Sequence, residues 1–209
     1  LDAEGQIAGG GTVANLSGEK SFQMYGGTIK GAISSTAGAI YSAGPVEVYG
    51  GTVTGGVATG GGTGGIRITE LTNPTRVGSR RIGSDAVITG NVDAKGKPSN
   101  IEVKTGVENF TVVGNYTGTA GIVLSEKPYH LMKVATSENA DISGADFTGD
   151  NYTEGYEFRV VDGYVVTYMD ADETKHLENI SDCNALYDEL DRMVTEKGKN
   201  RFYMIRVDG

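Results

Sequence analysis

The chain has 209 residues, enough for one large or two modest domains; its 33 glycines, without a Gly-X-Y period, exclude collagen and suit bend-rich β structure. The net charge of −9, from 27 acidic and 18 basic residues, argues against a nucleic-acid footprint and against an anionic membrane surface. No apolar run is long enough to span a bilayer, and a single cysteine, Cys183, excludes an internal disulfide framework.

Residues 1–21 read as a partial first turn of a repeat, with Gly9-Gly10-Gly11-Thr12-Val13 as its first sign and Leu16 and Phe22 expected to point inward. With Leu1 first and no basic-then-apolar leader, the sequence reads as a piece of a longer, processed or truncated polypeptide. The clearest repeat follows. Tyr25-Gly26-Gly27-Thr28-Ile29-Lys30-Gly31 returns as Tyr49-Gly50-Gly51-Thr52-Val53-Thr54-Gly55, 24 residues on (49 − 25). Phe22 and Met24 precede the first copy as Val46 and Val48 precede the second. This alternation has the strand period of two, in short runs rich in Val, Ile, Thr and Tyr and broken by Gly.

Weaker echoes extend the series. With glycine as the marker, the positions are 31, 55, 90, 114 and 144, and two residues before each stands Ile29, Val53, Ile88, Val112 or Ile142. The expectation is one inward file containing Ile29, Val53, Ile88 and Val112. A unit of this size cannot bury its own apolar side chains. Stacking the next unit about 4.8 Å above it closes the hydrogen-bond ladder and the core together. The predicted fold is therefore all-β, a right-handed parallel β-helix over 1–153.

Within that span, Gly60, Gly62 and Gly65 formally match a dinucleotide-binding fingerprint, but no amphipathic helix follows to meet a pyrophosphate, so a glycine-rich bend is the better account. Residues 71–83 lengthen one turn and are expected to project as a loop carrying Arg76, Arg80 and Arg81, cations suited to carboxylates of a polysaccharide or a partner protein. Asn91 and Asn115 each follow a marker glycine and are expected to stack as an amide ladder, while Lys95-Gly96-Lys97-Pro98 reads as an ordinary exposed turn. Asp141, Asp146, Asp150 and Asn151 invite a calcium or general-acid reading, yet lack dense ligand spacing and suit turns equally well.

Residues 154–169 predict a β-hairpin closing the stack, with Asp162-Gly163 between two alternating strands. Residues 170–180 read as a polar linker; Asp170, Asp172 and Thr174 begin like a calcium loop, but Lys175 stands where such a loop needs glycine. A helix is expected over 181–197, with Leu186, Leu190, Met193 and Val194 as its apolar stripe and Cys183 as a quiet thiol in its first turn. Phe202–Val207 then predicts a strand, so that 170–209 either caps this block or opens another. Five Asn-x-Ser/Thr sites follow from the Asn- and Thr-rich composition.

Tyr25-Gly26-Gly27-Thr28-Ile29, Gly38-Ala39-Ile40-Tyr41, Tyr49-Gly50-Gly51-Thr52-Val53 and Gly64-Gly65-Ile66 resemble the repeat-rich surface and secreted proteins of bacteria with right-handed parallel β-helices, the broad pectate-lyase-like and adhesin-like group, over roughly residues 7–125. The resemblance implies an extracellular or cell-surface setting and supplies no catalytic residues. The expected function is a non-catalytic structural or adhesive module that offers a face to a polysaccharide or a host or cell-surface protein, without cofactor or metal and with flanking domains in a longer chain. The alternative is a polysaccharide lyase or glycoside hydrolase. Arg76, Arg80, Arg81 and Asp85 are the candidate ligand-binding residues; His130 and His176 lack helpful neighbours. Two carboxylates and an arginine converging near Arg80 would favour catalysis, and rows of Thr, Ser and Asn a structural role.

Overall fold

The computed structural model describes residues 6–8, 12–15, 21–68, 80–103, 110–124, 128, 131–138, 142, 146–150 and 156–168, together with the backbone of 173–176 and 203–206. The chain divides into two units, Leu1–Tyr168 and Met169–Gly209. The first is all-β, a parallel β-solenoid of about four turns, with no helix among the described residues.

Each coil presents three strand-bearing faces. Phe22–Lys30 and Val46–Thr54 cross the first face, bend at their Gly-Gly pairs, and continue along the second. Arg80–Gly83 and Phe110–Val113 carry the first face onward. The second runs Ile7, Ile29, Val53, Ile88, Ala120, Phe147 in a single parallel register. The third stacks Val13, Ile40, Ile66, Ile101 and Ile122. Inward residues of all three faces meet in one core that includes Met24, Val48, Ile82, Phe110 and Leu124. Alternation decides which side chains enter it, because a strand sends successive residues to opposite sides.

Ile29, Val53 and Ile88 thus share one file, as the repeat predicts. Val112 does not. It lies on the first face, over Ile82, which lies over Val48 and Met24. Bends of the same kind close both faces. Gly31, Gly55 and Gly90 end the second face with φ of 73°, 67° and 71°, while Gly114 (φ 63°) ends the first, where the previous coil uses Ser84 (φ 54°). An aliphatic residue two places before a left-handed bend therefore marks either corner, and the 24-residue step from Gly90 to Gly114 joins two different ones. Ile33, aligned in sequence with inward aliphatics, is 54 % exposed.

Ile88 is fully buried between Val53 and Ala120. Ile88→Ala is expected to destabilise the solenoid by about 2–5 kcal/mol, since a rigid stack collapses poorly around a cavity; urea denaturation measures it. A loss below 1 kcal/mol would mean this file carries little of the core.

At the far end of the first face, Glu157–Val161 and Tyr164–Tyr168 form an antiparallel hairpin. Its turn residues Asp162 and Gly163 have φ of 51° and 78°, as a type I′ turn requires. The hairpin pairs antiparallel with Lys133–Glu138 and buries Val165 and Val166, adding two strands to that face. In the second unit, Glu173–His176 pairs parallel with Tyr203–Arg206. The first of these strands falls inside the stretch expected to be a polar linker. The helix expected over 181–197, with Cys183, lies outside the described residues.

Candidate functional site

The candidate residues do not form one cluster. Arg76 lies outside the described residues. Arg80 and Arg81 belong to a strand, Arg80–Gly83, and not to a projecting loop. Alternation sends them to opposite sides. Arg80 enters the core at 3 % exposure, between Val46 and Phe110 in the first-face file. Its Nη2 donates to the Ile68 carbonyl at 3.5 Å, and Nε and Nη1 have no partner among the described residues. Burial pushes its pKa down to about 10, so the guanidinium stays charged at neutral pH, with Glu102 acting on it in the opposite direction. Asp85 is exposed in the bend after the first face, beside Gly50.

Arg81 faces outward and organises a surface. Its Nη2 donates to both oxygens of Glu138, at 2.8 and 2.9 Å. Glu47 is its register partner in the previous coil. The same Glu47 Oε2 accepts from Gln23 Nε2 at 2.6 Å and from the Tyr49 hydroxyl at 3.1 Å. Tyr49 stacks on Tyr25 of the coil before it, with ring centroids 5.3 Å apart and planes 22° from parallel. Tyr25 is 72 % exposed. The Tyr49 hydroxyl, then Glu138, holds Arg81 charged above arginine's ordinary range, and partial burial pushes the Tyr49 phenol up. Two carboxylates and an arginine do converge here, around Arg81 and not Arg80, together with an aromatic platform that arises because the two Tyr-Gly-Gly copies stack.

A second polar constellation is internal. Asn91 and Asn115 form no ladder: Asn115 is exposed in its bend, while Asn91 is fully buried. Asn91 Oδ1 accepts from the Gly56 amide at 2.9 Å, and its Nδ2 donates to Asn100 Oδ1 at 2.8 Å. Asn100 Nδ2 in turn donates to Asp150 Oδ1 and Oδ2 at 3.1 and 3.0 Å, and its backbone amide to Oδ2 at 2.6 Å. The ladder is thus Asn91–Asn100–Asp150, tying the second coil to the last. Gly121 is required beside it, because a Cβ there would overlap both Asn100 Nδ2 and Asp150 Oδ1. Burial raises the Asp150 pKa above the usual aspartate value, and the Asn100 donors pull against that shift. Asp146 is exposed and Asp150 buried, so the acidic cluster expected here is split between surface and interior; Asp141 and Asn151 lie outside the described residues. Among the described residues no three of His, Cys, Asp and Glu are grouped to hold a metal ion.

Sequence reasoning missed Tyr25, Tyr49, Glu47 and Glu138 as partners of Arg81. The first three were open to it, because the 24-residue repeat puts Tyr25 and Tyr49 at equivalent positions, Glu47 two residues from Tyr49 on the same side of the strand. Comparison with protein-family models, with curated proteins and with solved structures finds no match to this chain.

Proposed function

We propose that the chain is a non-catalytic structural and adhesive module of a bacterial cell-surface or secreted protein, a stiff stalk whose first face binds a polysaccharide. The observation that supports this reading is the exposed Tyr25–Tyr49 stack bordered by Gln23, Glu47, Arg81 and Glu138. Exposed aromatic rings offer an apolar platform to the C–H face of a sugar ring, and the flanking amide, carboxylates and guanidinium offer donors and acceptors to its hydroxyls. A stacked cross-strand pair could also stabilise the sheet alone. The two roles separate by experiment. Tyr25→Ala is expected to leave folding within about 0.5 kcal/mol, as an exposed position should. On an oligosaccharide array it is expected to lose about tenfold or more in binding to the best glycan, the equivalent of about 1.4 kcal/mol. Unchanged binding in Tyr25→Ala and Tyr49→Ala would sink the proposal.

The second reading is a polysaccharide lyase or glycoside hydrolase, favoured by the meeting of Glu47, Glu138 and Arg81 on one face. The bidentate ion pair weighs against it, because an arginine engaged by Glu138 is a poor proton acceptor. Cleavage of any polysaccharide by the parent, abolished in Arg81→Ala, would replace the first reading with this one.

A further inference from the structure

The turn at Lys95–Pro98, unremarkable in sequence, overhangs the outward side of the third face. Between the two lies a cleft of about 660 Å3. Its floor is Arg67, Glu102 and Val123, its far wall Gly62 and Thr63, and Asp150 closes one end. The overhang is built to hold its shape. Val92 and Pro98 bridge antiparallel at its base, and the Asp93 carboxylate accepts from the amides of Lys95 and Lys97 at 2.8 and 2.9 Å. Glycine at 62 keeps the far wall bare, and a Cβ there would overlap the Thr36 carbonyl.

The charges in this cleft are not equally engaged. Asp93 holds its own turn together. Asp150 takes three hydrogen bonds from Asn100. Glu102 pairs with Arg67 at 3.5 Å and accepts from the Thr63 hydroxyl at 3.1 Å. Arg67 also donates to the Thr36 carbonyl at 3.1 Å. Lys95 and Lys97, both exposed, have no ion-pair partner among the described residues. The cleft therefore presents two ammonium groups whose charge nothing answers, opposite a wall of carboxylates that retain lone pairs for hydroxyl donors.

We infer that this cleft binds a small hydroxyl-bearing monocarboxylate, its carboxylate between Lys95 and Lys97 and its hydroxyls donating to Glu102 and Asp150. A dianion such as phosphate fits less well, because Asp93, Glu102 and Asp150 repel added negative charge. A neutral polyol satisfies the acceptors and leaves the ammonium groups unpaired. The cleft lies on a different face from the Tyr25–Tyr49 platform, and the inference does not rest on that platform's role.

The test is isothermal titration calorimetry of the full chain in low salt at pH 7 with D-gluconate, D-glucose and inorganic phosphate. Gluconate is expected to bind at least about tenfold more tightly than either of the others, and more weakly as salt is raised. Lys95→Gln with Lys97→Gln is expected to weaken gluconate about tenfold without shifting the thermal midpoint, both positions being exposed. Tyr49→Ala should leave gluconate binding intact, which separates failure here from failure of the adhesive reading. Absence of gluconate binding, glucose or phosphate binding as tight as gluconate, or an unchanged affinity in the double variant would each overturn the inference.

Discussion

Asn100→Ala is expected to destabilise the solenoid by about 3–5 kcal/mol at pH 7, the range seen when a buried charge loses its partner. Asn100 is 3 % exposed and works in both directions. Its Oδ1 accepts from the Asn91 backbone amide at 3.0 Å and from Asn91 Nδ2 at 2.8 Å, while its Nδ2 serves both oxygens of Asp150. Truncation leaves the Asp150 carboxylate, 7 % exposed, with only the backbone amide of residue 100 among these donors. The pH dependence follows from the sign of the shift. Asp150 already has a raised pKa in the folded chain, so its contribution to stability is greatest below the aspartate range and falls as pH rises through the folded pKa. Removing the Asn100 donors raises that pKa further. The penalty of the variant is therefore largest at neutral pH and shrinks as acid protonates Asp150. Urea unfolding of parent and variant at pH 7 and pH 5 measures both quantities. A penalty that is equal at the two values, or grows in acid, would contradict the assignment of the charge. Asp150→Asn removes the charge while keeping one acceptor, and should make stability less pH-dependent in this interval.

How much of this was legible in the chain depends on how far apart the partners lie. The stack itself was plain because Tyr25–Gly31 and Tyr49–Gly55 match residue for residue and carry the same left-handed bends, so Ile29, Val53 and Ile88 could be placed in one file. The file was lost at Val112 because the first and second faces end in the same bend. The Asn100–Asp150 contact spans 50 positions of sequence with no repeat to link them. The excursion at 93–98 further hides the fact that Thr119–Leu124 continues two separate strands of the coil before it, Val87–Ile88 and Ile101–Val103. Arg80 and Arg81 show the opposite failure, where a local signal was present and misread. Arg80-Arg81-Ile82 sits over Val46-Glu47-Val48, so strand alternation predicts one arginine inside and one outside. A paired charge invites a loop reading only while the bend at Ser84 goes unrecognised.

Arg80→Met is expected to raise stability by about 1–4 kcal/mol, the gain seen when buried ionic groups are replaced by apolar side chains of similar size. The position is an aliphatic or aromatic one in neighbouring coils, Val46 on one side and Phe110 on the other. A guanidinium there gives up its hydration. In return it has one long bond, 3.5 Å to the Ile68 carbonyl, and the field of Glu102, which is itself paired with Arg67 and Thr63. Methionine keeps the length and flexibility of the chain and fills the same space without donors to satisfy. The linkage again fixes the pH behaviour. Arg80 has a folded pKa depressed to about 10, so its charge weighs on the folded state at every pH below that value and is relieved as pH rises through it. The advantage of the variant should therefore be full at pH 7 and smaller above pH 10. Thermal melts at both values test this, a gain of 1 kcal/mol raising the midpoint by about 2–4 °C. Loss of more than about 1 kcal/mol in Arg80→Met would refute the picture of an uncompensated cation, because removing a well-paired guanidinium from the interior exposes the charge of its partner.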